Sequence, residues 1–342
     1  MNQKRMRSDE MNSLARITRL ALPVLVAAFA FATLSTADAA QGQKAPEASK
    51  PAQKTFNTPK AAADAIIQAA ADFDVDALKA ILGPDGEDLV VTGDRVQDKN
   101  RATAFAAKAR EKESIVMDPQ DHSRATLVVG NDDWPFAIPI VEESGVWSFD
   151  TDAGREEVLM RRIGSNELDA IQVCMGYVEA QQEYALEKHD GAEANQYAQR
   201  VISTPGKHDG LVWRNADGSL GGPVGEEIGK ALEQGYGDKS QPYHGYFFKI
   251  LKGQGPDAPL GQMDFVVHGA MIGGFALAAA PAEYRVTGVK TFIVSYEGVV
   301  YEKDLGPDTI KTFKDMELYN PDKSWHPVSD RWVKDATDTG AQ

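Results

Sequence analysis

The sequence has almost no cysteine and only one long apolar run. Cys174 is the one cysteine among 342 residues, so no intramolecular disulfide can form, and stability must come from burial of apolar surface and from hydrogen bonds. The apolar run at residues 20–34 is about fifteen residues long, whereas a membrane-spanning helix needs about twenty. A permanent transmembrane anchor is therefore not expected. A chain of this length has room for two folded domains.

Basic residues are in the minority. The chain carries 36 Lys and Arg against 51 Asp and Glu, which gives a formal net charge of -15, and charges of both signs are interspersed. A surface of this kind repels phosphate backbones and anionic lipids. The sequence therefore predicts an acidic, soluble mature protein with no nucleic-acid partner and no stable insertion into a membrane.

The sequence also lacks the motifs that identify common catalytic sites. It contains no G-x-S-x-G, no HExxH, no paired CxxC and no Walker loop. The acidic cluster at residues 72–76 is followed by Ala77, where a calcium loop requires glycine. We therefore expect no catalytic residue, no metal and no cofactor. The alternative is an envelope hydrolase of glycosidase type with an unfamiliar carboxylate and histidine site. Paired carboxylates such as Glu142 and Glu143 are consistent with that alternative.

The first forty residues have the layout of a secretory signal. Basic side chains precede the apolar run at residues 20–34, and Ala37 and Ala39 form a small-x-small cleavage site after it. The basic residues are Lys4, Arg5, Arg7, Arg16 and Arg19. Residues 1–39 are therefore predicted to be a signal peptide, and the mature protein is predicted to lie in the periplasm or to be secreted.

The rest of the chain divides by composition and by pattern. Residues 40–55 are polar and contain proline and alanine without apolar periodicity, which predicts a flexible linker. A helix-then-strand order then occurs twice, over residues 56–162 and over residues 163–328, and residues 329–342 form a C-terminal tail. We predict an α+β protein with two domains at these bounds.

The first domain begins with helices and ends with short strands. Thr58 followed by Pro59 predicts a helix start, and Asp74 or Asp76 predicts the cap of a second helix. A third helical stretch covers about residues 101–109. Strand-like segments follow at residues 114–117, 125–129, 136–141 and 146–149. This order resembles that of NTF2-like proteins, which implies helices packed on a curved sheet and which elsewhere hosts both enzymes and binding modules.

The second domain repeats this order with a longer helical region. Residues 150–188 are predicted to form a short helix after Asp152, a break at residues 164–166, and a long helix whose apolar stripe has Cys174 at its edge. Strands are then predicted at residues 243–251, 263–268, 274–280, 289–296 and 299–303. A terminal helix is predicted to start near Pro307.

Several segments resemble those of a known family. They include DDWPFAIPIV, STPGKHDGLVW, YHGYFFKIL and MIGGFALAAAPAEY. Over residues 55–328 the chain is similar to an uncharacterised bacterial family of exported proteins, the domain of unknown function 2950, and this resemblance implies no particular activity. The second half also resembles the globular part of type IV pilins and pseudopilins, with a GVTG-type loop at residues 285–289, which implies a long helix followed by an antiparallel sheet.

Aromatic side chains of the second half are candidate binding residues. Trp213, Tyr243 and Tyr246 belong to a set that either lines a carbohydrate or peptide groove or simply packs in the core and at its rim. The groove alternative favours a protein that acts by binding. Its partner is then expected to be another envelope protein, a peptide or a glycan.

Two histidines join this candidate site through a predicted hairpin. If strands 243–251 and 263–268 pair around the loop between them, His268 lies opposite Tyr246 and diagonal to His244 on one face of the sheet. Side chains in that arrangement are close enough to share a metal, a water or an acidic ligand. A one-residue slip of the register would turn one of the histidines to the opposite face.

We predict that the mature protein begins at Ala40 or Gln41 and carries no acyl group, because no cysteine lies beside the apolar run to accept a lipid. The intact mass of the protein recovered from the periplasm of a Gram-negative host checks this. A mature chain that still contains residues 20–34 would contradict it.

Overall fold

The computed structural model describes residues 52–236 and 240–329. The predicted signal peptide, most of the predicted linker and all but the first residue of the predicted tail lie outside these residues. The helices are α1 Pro59–Asp72, α2 Val75–Leu82, α3 Glu87–Val90, α4 Arg95–Glu111, α5 Thr151–Tyr184, α6 Gly225–Gln234 and α7 Thr309–Asp315. The strands are β1 Glu113–Met117, β2 Arg124–Val129, β3 Trp134–Pro135, β4 Ile140–Glu143, β5 Val146–Phe149, β6 Trp213–Arg214, β7 Leu220–Gly221, β8 Tyr246–Leu251, β9 Gly253–Gln254, β10 Met263–Asp264, β11 Val266–Val267, β12 Ala270–Met271, β13 Ala276–Pro281, β14 Lys290–Ser295, β15 Val300–Asp304 and β16 His326–Pro327. Helices with antiparallel strands confirm the α+β prediction.

Local capping signals place the first two helices. The Thr58 hydroxyl accepts a hydrogen bond from the backbone N–H of Ala61 at 3.0 Å, and Pro59 occupies the first turn of α1. The Asp74 carboxylate accepts one from the N–H of Ala77 at 3.0 Å at the start of α2. Both predicted helix starts are confirmed, and Asp74 is the cap of the second.

The first sheet packs under α1 and α4. Its strand order is β1-β2-β4-β5, and β3 pairs with the end of β2 beyond β4. Buried and half-buried residues alternate along β2, with Ala125, Leu127 and Val129 facing the core. This alternation is typical of a strand with one face on a core. The sheet therefore buries one face against the helices.

The second sheet has the order β16-β15-β14-β13-β8, and every neighbouring pair is antiparallel. All six residues of β13 are buried. Because successive side chains of a strand point to opposite faces, both faces of β13 are covered. α5 and α7 pack against this strand, and α5 also packs against β14.

α5 is one continuous helix of 34 residues. The predicted break at residues 164–166 is wrong. Its N-terminal cap is Asp150, whose carboxylate accepts from the N–H of Ala153 at 3.1 Å, and not the predicted Asp152. Residues of α5 contribute to the surroundings of both sheets, so the helix links the two halves of the described chain.

Tertiary hydrogen bonds explain why the helix continues through Asn166. An Asn side chain near a possible break often caps a new helix, but this one is fully buried and bonds to other elements. Its Oδ1 accepts from Arg101 Nη2 of α4 at 2.7 Å, and its Nδ2 donates to the carbonyl of Thr287 at 2.7 Å. These bonds outweigh the weak helix propensity of the Gly-Ser-Asn segment.

The hairpin predicted between strands 243–251 and 263–268 is wrong. β8 pairs with β13, which sets Tyr246 opposite Pro281. The segment 263–268 is divided between β10, which pairs with β9, and β11, which pairs with β12. The apolar strand β13 offers β8 a fully buried neighbour, whereas the segment 263–268 contains Asp264 and His268.

The fold begins before the predicted end of the linker at residue 55. Gln53 Nε2 donates to the carbonyls of Ile81 and Phe149 at 2.9 and 2.7 Å. The N–H of Lys54 donates to the carbonyl of Ala80 at 2.8 Å. Hydrogen bonds therefore hold the last linker residues against the end of α2 and against β5.

Two clusters of buried apolar side chains lie in the described chain. One takes its buried members from residues 62–149 and the other from residues 170–328. α5 crosses the predicted boundary at residues 162/163 without interruption, and the division into two domains there stays a prediction. Within residues 52–236 and 240–329, no helix has both the length and the apolar character needed to cross a membrane.

We expect Asn166→Ala to lower the free energy of unfolding by about 3 kcal/mol, because the Arg101 guanidinium and the Thr287 carbonyl each lose a buried partner. Denaturant unfolding followed by circular dichroism measures this change. Asn100→Ala, at an exposed position of α4, is the matched control and should change stability by less than about 0.5 kcal/mol. Equal small losses in both variants would contradict the importance of the Asn166 bonds.

Cys174 should not react with a thiol reagent in the native protein. Its side chain is fully buried on α5, and burial raises the pKa of the thiol to about 12, so almost no thiolate exists at pH 8. Labelling with an aromatic disulfide reagent should therefore occur only as fast as the protein unfolds and should become rapid in denaturant. Fast labelling of one thiol per chain in native buffer at pH 8 would contradict this burial.

Candidate functional site

A cleft of about 540 Å³ lies in the first half of the described chain. Most of its wall is apolar, and the residues that line it come mainly from α1 to α5 and from the segment that follows β3. Apolar residues of the wall include Ile66, Leu78, Leu82, Ala102, Phe105 and Phe136. The cleft is therefore a continuation of the first apolar core that the core side chains leave open.

One face of α4 supplies both apolar and charged groups to the cleft. Asp98, Arg101, Ala102, Phe105 and Lys108 all line it. Their spacing of three and four residues places them on the same side of the helix. Arg101 and Lys108 are about 10 Å apart along the helix axis, given a rise of about 1.5 Å per residue. Charged side chains therefore line the cleft at two positions along the α4 axis.

The more exposed charged groups of the cleft are paired. Lys108 Nζ lies 3.0 Å from Asp132 Oδ2. Arg161 Nε lies 2.6 Å from Glu157 Oε1, and the guanidinium is 4.4 Å from the ring centroid of Trp134. Such exposed pairs contribute little to stability. They give this part of the cleft a polar rim.

Arg162 is a buried cation near Arg101. Only 7% of its surface is exposed, and its two terminal nitrogens donate to the carbonyls of Asp88 and Leu89 at 3.0 and 2.8 Å. Burial lowers the pKa of Arg162 to about 10, and the neighbouring charge of Arg101 acts in the same direction. The guanidinium is still charged at neutral pH.

Arg101 has one nitrogen that makes no hydrogen bond. Nη2 donates to Asn166, but Nη1 is buried and has no hydrogen-bond partner among the described residues. Burial lowers the pKa of Arg101, while the carboxylates of Asp98, Asp169 and Asp94 raise it. A buried donor without an acceptor is costly, so this nitrogen is an unusual feature of the interior beside the cleft.

Asp98 accompanies the two arginines, but its oxygens are already engaged. It accepts from the N–H and from the hydroxyl of Thr92 at 2.9 and 2.7 Å. Burial raises the pKa of Asp98, and the two bonds from Thr92 oppose this shift. The carboxylate therefore contributes charge near Arg101 without forming a hydrogen bond to it.

A second buried carboxylate joins α4 to the turn that precedes β8. Asp94 Oδ1 caps α4 by accepting from the N–H of Gln97 at 3.0 Å. Its Oδ2 accepts from the N–H of Gly245 at 3.0 Å and from the hydroxyl of Tyr236 at 3.2 Å. Gly245 has a φ of 76°, and a Cβ there would lie 2.5 Å from Asn166 Nδ2, so the turn requires glycine.

The predicted residues Tyr243 and His244 lie together beside this turn. Their rings stack with centroids 4.2 Å apart, and His244 Nδ1 is 2.8 Å from Asp169 Oδ2 of α5. Tyr236 contacts Tyr243 edge-on at 4.8 Å. This group forms a half-buried aromatic and acidic cluster. The sequence predicted neither Asp169 nor Tyr236 as neighbours of His244.

The other predicted site residues lie elsewhere. His268 is exposed in the turn between β11 and β12, and the strand pairing that would set it diagonal to His244 is not formed. Tyr246 is buried in the second core, where its hydroxyl donates to the carbonyl of Lys290 at 2.9 Å. The predicted arrangement of His244, Tyr246 and His268 on one sheet face is therefore wrong.

Trp213 contacts two histidines that the sequence did not link to it. Its ring centroid is 4.5 Å from that of His208 and 5.7 Å from that of His189. His189 in turn stacks on Tyr184 at 3.9 Å. These residues are separated by loops without a regular pattern, so no spacing rule relates them.

The arrangement offers binding chemistry more readily than hydrolysis. Asp169 and His244 form a carboxylate–imidazole pair, but the rings against His244 are the phenols Tyr236 and Tyr243, and burial raises the pKa of both phenols. They are therefore protonated and weakly nucleophilic at neutral pH. In the part of the chain that is described, no three metal-ligating side chains come together to hold an ion.

Few features of the sequence identify the cleft residues. Arg101 and Arg162 stand in helices rich in charged residues, where an arginine is usually solvent-exposed. A weak signal was available: an apolar helix face that also contains Asp98 and Arg101 must bury charge if it packs at all. Only the packing of α4 against α5 identifies which arginines are enclosed.

Comparison with known proteins gives a family and no further relative. No similar protein was found among the curated proteins, and no similar structure among the solved ones. The model of a family described as protein of unknown function (DUF2950) matches residues 53–328, which include both apolar cores and every residue of the cleft. The chain therefore belongs to the DUF2950 family.

Proposed function

We propose that this chain is an exported binding protein of the cell envelope and that its cleft takes a small ligand with an apolar body. The observation that carries the proposal is the cleft itself. Its volume of about 540 Å³ falls within the range of small-molecule sites, about 300 to 1,000 Å³. Mainly apolar walls with a few polar groups are typical of such sites.

Packing arguments favour a ligand site over a packing defect. Protein interiors leave few voids larger than a water molecule, because each lost contact costs stability. The cleft is partly open to solvent, so its apolar wall is in contact with water unless a ligand covers it. The loss of packing energy is offset if a ligand restores those contacts.

The architecture supports the finer parts of the proposal. Helices α1, α2 and α4 over the sheet β1-β2-β4-β5 are what an NTF2-like domain would have. α5 followed by the sheet β16-β15-β14-β13-β8 is in keeping with a pilin-like second half. Export to the periplasm or beyond is proposed from the N-terminal signal layout.

A macromolecular partner in the envelope remains part of the proposal. Trp213 is half-buried and lies with His189 and His208 in the loop region that precedes α6. Aromatic and imidazole rings at a surface are suited to stacking on a sugar or on a peptide side chain. This cluster supports a peptide or glycan contact separate from the cleft.

A hydrolase is the second candidate function, and the pairing of Asp169 with His244 at 2.8 Å favours it. A carboxylate that orients an imidazole is one part of many nucleophilic sites. The ring contacts of this imidazole are with two phenols, Tyr236 and Tyr243, which are weak nucleophiles while protonated. Binding is therefore the better supported of the two functions.

We expect Ala102→Trp to fill the cleft and to weaken the binding of a neutral naphthylamine dye at least about tenfold, because the indole occupies the apolar space that the dye would use. Dye fluorescence titrated against purified mature protein measures this. Ala107→Trp adds the same side chain to an exposed position of α4 and should leave dye binding unchanged.

Circular dichroism of both variants provides the folding control for this test. If the wild-type protein does not bind the dye, or if Ala102→Trp binds it as well as Ala107→Trp does, the cleft is not the binding site.

A further inference from the structure

We propose that the ligand of the cleft is an uncharged molecule built on a flat aromatic ring system, and that Phe73 is a residue that selects it. This inference rests on the proposed function, since it names the class of molecule that the cleft binds. Three observations carry it: the aromatic side chains of the wall, the backbone conformation of Phe73 and the pairing of the charges around the cleft.

The wall of the cleft is rich in aromatic rings. Phe73, Phe105, Trp134 and Phe136 are four of its 21 lining residues, whereas aromatic residues make up 8% of the chain. The rings of Phe105 and Phe136 have centroids 5.0 Å apart and planes tilted by 39°. An aromatic ligand gains offset or edge-on contacts with such rings in addition to the burial of its surface, and a saturated ligand gains the burial alone.

Two of these rings belong to the cleft and not to the core. Among the described residues, neither Phe73 nor Trp134 is one of the side chains that form or flank the two apolar cores. Phe73 is half-buried, and Trp134 is 39% exposed beside the guanidinium of Arg161. Both rings therefore leave apolar surface at the cleft that a ligand can cover.

Phe73 has a backbone conformation that is unfavourable for phenylalanine. It ends α1 with φ 48° and ψ 43°, in the left-handed region where helices usually have glycine. The N–H groups of Phe73 and Asp74 donate to the carbonyls of Ala70 and Ala69 at 3.2 and 2.9 Å. Asp74 then caps α2, so the turn between the two helices imposes this conformation. Glycine would form the same turn without the steric cost.

The strain at Phe73 points to a role of its side chain outside the fold. Strained backbone conformations of this kind cluster at ligand sites, where the surrounding structure maintains them. The ring of Phe73 lines the cleft and takes no part in the core packing of the described residues. Contact with a ligand is the remaining use for an aromatic ring at this position.

The exposed charges at the cleft are paired with each other. Lys108 lies 3.0 Å from Asp132, and Arg161 lies 2.6 Å from Glu157. An ionised group of a ligand would have to compete with one of these partners. The rim therefore gives no preference to a charged molecule.

The buried charges beside the cleft are compensated as well. The carboxylates of Asp98, Asp169 and Asp94 act on Arg101, and that of Asp98 also acts on Arg162. The unbonded nitrogen of Arg101 is enclosed in the protein and offers no surface to a ligand. An ionised group in the apolar part of the cleft would lose its hydration without gaining a counter-ion, which is costly. An uncharged ring system avoids that cost.

Three bicyclic probes test this inference: 2-naphthol, its saturated analogue decahydro-2-naphthol, and 2-naphthoate. Isothermal titration calorimetry of the mature protein at pH 7 gives the three affinities. We expect 2-naphthol to bind at least about threefold more tightly than decahydro-2-naphthol, because only the aromatic probe gains ring contacts. It should bind at least about tenfold more tightly than 2-naphthoate, whose charge finds no free partner.

Phe73→Leu removes the ring and keeps an apolar side chain. This variant should reduce the preference for 2-naphthol over decahydro-2-naphthol at least about twofold and leave the affinity for the saturated probe unchanged. Phe56→Leu removes a half-buried ring outside the cleft and is the matched control, so it should preserve the wild-type preference. Circular dichroism checks the fold of both variants.

Phe73→Gly tests the strain argument and also serves if Phe73→Leu does not fold. Because glycine adopts the left-handed conformation without strain, the urea midpoint of this variant should not fall below that of the wild type. Its affinity for 2-naphthol should nevertheless fall at least as far as that of Phe73→Leu. Leu260→Gly relieves a φ of 68° at a residue that is 87% exposed and should leave all three affinities unchanged.

The outcomes separate this inference from the proposed function. If none of the three probes binds, the proposed function fails and this inference fails with it. If 2-naphthol binds no more tightly than decahydro-2-naphthol or 2-naphthoate, the cleft binds ligands but the inference about their class is overturned. If the preference survives in both Phe73 variants, or if Phe73→Gly lowers the urea midpoint, the role assigned to Phe73 is overturned.

Discussion

The hydrogen bonds of the Asn166 side chain set the relation between the helices that form the cleft and the sheet that follows. The amide is fully buried in the middle of α5, and it bonds to Arg101 of α4 on one side and to Thr287, before β14, on the other. An amide has both a donor and an acceptor, so one side chain serves two elements. This contact therefore helps to fix the register of α5 against α4.

The position of Arg101 follows from that bond. Asn166 holds one terminal nitrogen of the guanidinium, and the other is enclosed without a hydrogen-bond partner among the described residues. Burying a charge with incomplete hydrogen bonding is unfavourable, and the hydrogen bond to Asn166 offsets part of that cost. The polar network that joins α4 to α5 therefore also prepares the charged part of the cleft.

The two halves of the chain are also joined through Asp94, which has a similar role at the start of α4. It caps the helix and holds the N–H of Gly245 and the hydroxyl of Tyr236. That contact fixes the turn that carries Tyr243 and His244, so the aromatic cluster and the cleft share one end of α4.

The sequence by itself determined the features that depend on neighbouring residues. Thr58, Pro59 and Asp74 fixed the helix starts, a short, partly β-branched segment fixed the strand β2, and the apolar stripe of α5 fixed the burial of Cys174. Each signal lies within a few residues of its effect, because capping, strand propensity and helical periodicity depend on neighbouring residues.

Only the tertiary structure decided which distant segments meet. It paired β8 with β13 instead of with residues 263–268, and it carried α5 through residues 164–166. It also enclosed Arg101 and Arg162 in a cleft and separated His268 from His244. These outcomes depend on competition between partners far apart in the chain, where apolar burial and buried hydrogen bonds outweigh local propensity.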